Sequence, residues 1–203
     1  MTQYSLTCIN ESQLPGSFVV FQKPAASTVP GTIYPLAWLA RPVHPTMQTT
    51  FEWTLDFNFV WSETGVLVPG ITFLASQVIA ADPTGQNMVE LTVDSYGATY
   101  FSGPNDGGEA GRLTVRQLAN VVPNRTAVGI GMSGAGTCAV QAAPNITAVF
   151  TPHPNYWVTF GNFEQGQVID LEELPTVAPE LTYTGSLASH TAILGMDNLI
   201  RIS

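Results

Sequence analysis

The chain has 203 residues, of which 45% are hydrophobic and only 10% are charged, and its formal net charge is −9. So many apolar residues exclude an intrinsically disordered chain, and two cysteines are too few for a disulfide scaffold or a multi-cysteine zinc domain. Six Lys and Arg stand against fifteen Asp and Glu. This balance removes the electrostatic driving force for binding nucleic acid or anionic lipid headgroups, so we expect no nucleic-acid partner.

The N-terminus gives no targeting signal. It reads MTQYSLTCINESQLPG and has neither the basic nor the apolar region of a secretory signal peptide. No stretch approaches the roughly 18 uninterrupted apolar residues of a spanning helix. We therefore expect no transmembrane segment and a cytoplasmic location, with leaderless export to the extracellular space left open.

The first two strands are predicted at Tyr4–Ile9 and Ser17–Phe21. The turn-forming residues Gln13–Gly16 lie between them and favour an opening hairpin.

The clearest strand signal covers Phe51–Trp61, where apolar and polar residues alternate. Successive side chains of a strand point to opposite faces, so one continuous strand would carry a row of aromatic rings on one face. We predict this strand at the centre of the fold.

The remaining strands are predicted at shorter segments separated by turns. They are Gly70–Ile79, Met88–Val93, Ala98–Phe101, Arg112–Val115, Ala127–Met132, Thr137–Ala142, Ile146–Thr151, Tyr156–Phe160, Val168–Leu171, Leu181–Thr184 and Thr191–Leu194. About a dozen short strands at this spacing predict an all-β fold: a single-domain antiparallel β-sandwich, jelly-roll-like, over residues 1–203. The segment from about residue 176 is the least defined, and weak helix alternatives exist at Val115–Val121 and Leu187–Leu194.

The glycines of Gly129–Gly134 have the spacing of a dinucleotide-binding loop. That motif requires a helix after the glycines, whereas the residues that follow here have the pattern of a strand. We therefore predict a tight β-hairpin and no bound cofactor.

Cys8 and Cys138 both lie within predicted strands. They would form a stabilising disulfide if those strands were neighbours, but two buried thiols are the favoured alternative in a reducing compartment.

No catalytic or metal-binding set stands out. His44, His153 and His190 are far apart in the sequence, without the spacing of a metal motif. The carboxylates of Asp170–Glu173 would suit glycoside hydrolysis if two of them were correctly separated, but a solvated edge is favoured. Asp106 and Glu109 lie in a glycine-rich loop, where a hairpin tip is favoured over a calcium site.

One loop carries candidate contact residues for a ligand or a partner. Two prolines flank His153, and Tyr156 and Trp157 follow. A stiff loop with flat rings suits stacking on a sugar or docking on a neighbour, and core packing of the two rings is the alternative.

Six segments, taken in order, resemble the family of the rhizosphere-induced protein RhiA of rhizobia. They are Tyr4–Thr7, Leu36–Trp38, Phe57–Gly65, Leu67–Gly70, Ala127–Gly134 and Phe150–Trp157. The resemblance spans residues 4 to about 172. It implies a bacterial, abundant, leaderless soluble protein expressed in association with a host or its surroundings, and it implies neither a reaction nor any site residue.

These features favour a non-catalytic structural or interaction protein that associates with copies of itself. Few charges are available to block exposed strand edges, and an unprotected edge pairs with other chains. A carbohydrate-binding, lectin-like module is the alternative hypothesis, with a glycan as partner. A hydrolase is the least favoured one.

Overall fold

The computed structural model describes residues 3–25, 29–184 and 188–203, and within these ranges it contains strands and no helix. The strands are β1 (Gln3–Asn10), β2 (Gly16–Phe21), β3 (Tyr34–Pro35), β4 (Leu39–Val43), β5 (Gln48–Thr54), β6 (Phe57–Ser62), β7 (Gln77–Ala80), β8 (Met88–Val93), β9 (Thr99–Phe101), β10 (Leu113–Gln117), β11 (Ala127–Met132), β12 (Ala135–Gln141), β13 (Thr147–Phe150), β14 (Tyr156–Gly161), β15 (Glu180–Leu181), β16 (Ser189–Leu194) and β17 (Ile200–Ile202). The all-β prediction is confirmed.

The strands form four sheets, which pack as two pairs. The first sandwich consists of the sheet β17-β16-β1-β5 and the sheet β15-β14-β2-β4, whose side chains share one apolar cluster. The second sandwich consists of the sheet β3-β12-β11-β6-β7 and the sheet β13-β10-β8-β9, around a second cluster. Most neighbouring strands are antiparallel, but β1 pairs with β16 and β8 with β10 in parallel.

The predicted strand over Phe51–Trp61 is divided between the two sandwiches. β5 ends at Thr54 and β6 begins at Phe57. Asp56 lies in the break, where its carboxylate accepts hydrogen bonds from the Thr54 and Ser133 hydroxyls and its carbonyl accepts one from the Ser133 amide. The prediction of one continuous strand is wrong, because these bonds hold the chain in a bend between two cores.

The predicted opening hairpin is also wrong. β1 pairs with β5 and β16, whereas β2 pairs with β14 and β4 in the facing sheet. The buried Asn10 side chain directs this crossing. Its carbonyl accepts bonds from the backbone and hydroxyl of Ser12, and its amide donates to the Leu14 and Val43 carbonyls.

Other predicted strands are shortened or replaced. The strand expected at Gly70–Ile79 covers only Gln77–Ala80, and Val168–Leu171 contributes a single bridge, between Val168 and Leu36. Residues 70–73 instead hydrogen-bond residues 166–168, so the two segments cover the outer face of the second sandwich. The pattern at 115–121 and 188–194 is not helical, and position 187 lies outside the described residues.

The C-terminal part joins the first sandwich. β16 runs beside β1 with Ser5 opposite Ser189, and β17 adds the next strand of the same sheet. Pairing between the two ends of the sequence could not be predicted from local pattern.

Candidate functional site

The predicted contact residues lie around β14, but they do not form an open pocket. His153 is half-buried, and its ring is engaged on both nitrogens. Its Nε2 donates to the Lys23 carbonyl at 2.9 Å, and its Nδ1 accepts a bond from the Asn155 amide at 3.3 Å. This pattern is that of a neutral imidazole. Burial lowers the pKa of His153, although its bond to the Lys23 carbonyl acts in the opposite direction.

Tyr156 is fully buried. Its ring lies 5.1 Å from the Trp53 ring and 5.8 Å from the Trp38 ring, between centroids. Burial raises the pKa of Tyr156 to about 12. The side chain packs in the core of the first sandwich, which was the alternative to stacking on a ligand.

Trp157 is half-buried on the opposite side of β14, and Lys23 lies over its ring with Nζ 4.9 Å from the ring centroid. This cation–π contact occupies one face of the indole. The cavity beside His153, bounded by Lys23 and Phe150, has a volume of about 20 Å³. A space of this size holds at most one water molecule.

The other titratable side chains do not converge. Among the described residues, no three His, Cys, Asp or Glu side chains lie close enough together to hold a metal ion. His44 is exposed, and His190 lies in β16, where its Nε2 donates to the Thr182 carbonyl. In the ranges that the structure describes, no helix could cross a membrane.

The two cysteines are free and buried in different sandwiches. Burial raises the pKa of the Cys8 thiol strongly and that of Cys138 to about 12. A thiol kept protonated in this way is a poor nucleophile. Of the two predicted alternatives, the structure therefore has the pair of buried thiols.

The glycine-rich segment forms the predicted hairpin between β11 and β12. Ser133 and Gly134 make its turn with positive φ values of 50° and 77°, as the tightest hairpin turns require. A Cβ atom at Gly131 would lie 1.8 Å from the Ala135 carbonyl oxygen. Glycine is therefore required at this position by the close approach of the two strands.

Two of the surface clefts among the described residues exceed about 300 Å³, the lower end of the range for ligand pockets. One, of about 360 Å³, lies between the β11–β12 turn and residues 73–75, with Gln165 and Gly166 at its rim. The other, of about 330 Å³, lies beside β3, where Tyr34 shares the wall with Asp170 and Glu172. The amide of Glu172 donates to the Asp170 carboxylate, so this acidic segment forms a compact turn.

All six basic side chains are engaged within the chain. Four arginines pair with carboxylates, namely Arg112 with Glu109, Arg116 with Glu90, Arg125 with Glu63 and Arg201 with Asp197. Lys23 and Arg41 lie over the rings of Trp157 and Phe51. The excess negative charge is therefore carried by carboxylates without basic partners, and copies of the chain repel one another except where their surfaces are uncharged.

The edge strands differ in whether they contain residues that block pairing with another chain, and sequence pattern alone did not show this difference. Five of the eight edge strands in the described part of the chain contain a charged residue or a proline. They are β3, β4, β5, β15 and β17. Charges and prolines at an edge prevent pairing with another chain. The three edge strands without them, β7, β9 and β13, all belong to the second sandwich.

β7 and β9 lie at the same edge of the second sandwich, joined by the side chain of Gln77. Its carbonyl oxygen accepts bonds of 2.8 Å from the Trp61 indole and from the Phe101 amide. Residues 64–81, which lead into and include β7, contain no charged side chain. They expose four apolar side chains, namely Val66, Val68, Leu74 and Val78. The uncharged run was the signal in the sequence that could have identified this edge.

Comparison with known proteins places the chain in a family. No solved structure shows a significant match. The chain is 38% identical over 204 residues to Protein RhiA of Rhizobium leguminosarum bv. viciae, covering 97% of this chain and 84% of the relative. The profile of the RhiA family matches residues 1–203, so the match includes the C-terminal part beyond residue 172. The predicted resemblance is confirmed: the chain belongs to the RhiA family.

Proposed function

We propose that this RhiA-family chain is a non-catalytic interaction protein that associates with copies of itself through the unprotected edges of its second sandwich. The observation that carries the proposal is the uneven protection of the sheet edges. In the ranges that the structure describes, each edge strand of the first sandwich contains a charge or a proline, whereas three of the four in the second sandwich contain neither.

The surface charge supports the same conclusion. With a net charge of −9, random contacts between copies are repulsive. The uncharged β7 edge is a place where two copies approach without facing carboxylates, and it exposes apolar side chains as well. Repulsion elsewhere on the surface directs association to this edge.

The chemistry of the reactive residues supports a role without catalysis. The rings of His153 and His190 donate to backbone carbonyls, and both thiols are buried with raised pKa values. A general base or a nucleophile needs an accessible, activated group. These four side chains serve packing and hydrogen bonding instead.

Sedimentation velocity of the purified chain over a concentration series tests this proposal. We expect the weight-average mass to rise above 21.7 kDa as concentration increases, and to rise further with added salt, because salt screens the repulsion between copies. A mass that stays monomeric at every concentration and salt level would contradict the proposal.

A carbohydrate-binding function is the second candidate, and the cleft beside β3 favours it. Tyr34 offers part of an aromatic ring, and the carboxylates of Asp170 and Glu172 are acceptors for sugar hydroxyls. Titration calorimetry with plant and bacterial polysaccharides tests this candidate. Binding heat that is lost in both Tyr34→Ala and Asp170→Asn would support it, and no heat with any glycan would count against it.

A further inference from the structure

We propose that β7 pairs antiparallel with β7 of a second copy of this chain, about a twofold axis that passes beside Ile79. This inference rests on the proposed self-association and names the strand, the partner and the register. The pairing would join two five-stranded sheets into one continuous ten-stranded sheet.

Within the described part of the chain, β7 has two residues whose backbone groups face away from β6. β7 pairs with β6 so that Phe59 lies opposite Ile79, and the Ala81 amide donates to the Phe57 carbonyl at 2.9 Å. In an antiparallel ladder the hydrogen-bonded residues alternate. Ile79 and Ala81 therefore bond toward β6, and the N–H and C=O groups of Val78 and Ala80 point outward from the edge.

Two copies of this edge are complementary to each other. With the twofold axis at Ile79, Val78 of one copy lies opposite Ala80 of the other. Each of these residues both donates and accepts, so the two copies form four backbone hydrogen bonds. The side chains of Val78 and Ala80 are exposed, and the pairing brings these apolar groups together on one face of the joined sheet.

The register also keeps like charges apart. Asp82 is the first charged residue after β7, and in this register it lies opposite Ser76 of the second copy. At about 3.3 Å per residue, the two Asp82 side chains are about 20 Å apart along the sheet. This separation is about twice the Debye length of 8–10 Å in physiological salt, so their repulsion is largely screened.

The other two uncharged edges are less available. β9 is partly covered, since Gln77 accepts the outward-facing amide of Phe101. In β13 the residues with outward backbone groups are Thr147 and Val149, and neither is among the exposed large apolar residues. β7 combines outward-facing backbone groups with an exposed apolar residue, since Val78 is 43% accessible.

The first experiment compares two lysine substitutions by sedimentation velocity. Val78→Lys places a charge on the β7 edge, and we expect association to weaken by about tenfold or more, because each pair would contain two added lysines. Thr147→Lys makes the same change in charge on β13 and should leave association at the wild-type level. Both side chains point to solvent, and circular dichroism confirms that the variants are folded.

The second experiment tests the register by cross-linking under mild oxidation. Ile79 lies opposite its own copy in a pair without hydrogen bonds, where Cα atoms are about 4.5 Å apart, within the range that a disulfide spans. Ile79→Cys should therefore give a covalent dimer. Val78→Cys should give none, because the two Cα atoms would be about 8 Å apart. Cys8 and Cys138 are buried and do not interfere.

The outcomes separate this inference from the proposed function. Suppose that the wild-type chain associates. If Val78→Lys then associates equally well, or if Thr147→Lys weakens association instead, β7 pairing is overturned and self-association remains. Cross-linking of Val78→Cys in preference to Ile79→Cys would overturn the register. A wild-type chain that is monomeric throughout would overturn both the function and the pairing.

Discussion

Substitution of Gly131 by alanine tests how closely β11 and β12 approach each other. A Cβ atom at this position would lie 1.8 Å from the Ala135 carbonyl oxygen, whereas real Cβ contacts essentially never fall below 3.0 Å. The strand must therefore move by about 1.2 Å, the difference between these distances. The backbone fixes the position of a Cβ atom, and the carbonyl oxygen belongs to the backbone, so no side-chain rotation relieves the clash. Overpacking together with weakened ladder bonds should cost about 3 kcal/mol.

The matched control is Gly134→Ala in the turn of the same hairpin. No atom lies within 4 Å of a Cβ atom built there, but its φ is 77°. An L-residue in this conformation costs about 1–2 kcal/mol. Urea unfolding followed by tryptophan fluorescence measures both variants. In thermal unfolding, 3 kcal/mol corresponds to a loss of about 6–12 °C for a chain of this size. A Gly131→Ala protein as stable as Gly134→Ala would refute this account of the hairpin.

Three further predictions concern the core, the pH dependence and the thiols. Trp53→Ala should lower the free energy of unfolding by about 3–5 kcal/mol, because the ring is buried among four others. Trp157→Ala should cost less, about 2 kcal/mol, because its half-buried ring loses its contacts with Lys23 and with the apolar cluster around Phe21. Denaturant titration distinguishes the two variants, and equal losses would contradict the assignment of Trp53 to the core. Burial lowers the pKa of His153 in the folded state, so on acidification the imidazole takes up its proton in the unfolded chain before it does so in the folded one. The stability that the neutral ring contributes is therefore present above pH 6.5 and is lost as the pH falls. The free energy of unfolding should decrease more from pH 8 to pH 5 for the wild type than for His153→Gln, and parallel curves would contradict this. Cys8 and Cys138 are both buried, so neither should react with a thiol reagent in the native protein, and two thiols per chain should react after denaturation. Rapid reaction of either thiol in the native protein would contradict its burial.

Local sequence pattern predicted the strand class well, because a strand is defined by alternation over a few residues. β11, β12 and β14 lie close to their predicted ranges. The glycine hairpin was also predicted correctly, since the turn chemistry of Ser133 and Gly134 is local. The division of Phe51–Trp61 into two strands was not predicted, because the alternation of the aromatic residues continues through the bend at Asp56.

Pairing between strands depends on distant residues and could not be predicted in this way. The crossing after β1 results from the bonds that Asn10 makes to Ser12, Leu14 and Val43. The pairing of β1 with β16 joins opposite ends of the chain. Nothing in the local pattern of either strand identifies its neighbour.

The candidate contact residues were identified by composition, and composition does not determine which face of a strand is open. Tyr156 and Trp157 are adjacent in β14 and therefore point to opposite faces. One face packs against the aromatic core and the other lies beneath Lys23. The uncharged run over residues 64–81 is a signal for an unprotected strand, but only the order of strands in each sheet shows that β7 lies at an edge.

Amide hydrogen exchange at β7, measured residue by residue at low and high protein concentration, tests the central claim most directly. We predict that the Val78 and Ala80 amides exchange rapidly in dilute solution and become protected as the concentration rises. The Ile79 amide, already bonded to β6 in the single chain, should be protected at both concentrations. Rapid exchange of Val78 and Ala80 at every concentration, in a sample whose mass has increased, would contradict pairing at this edge.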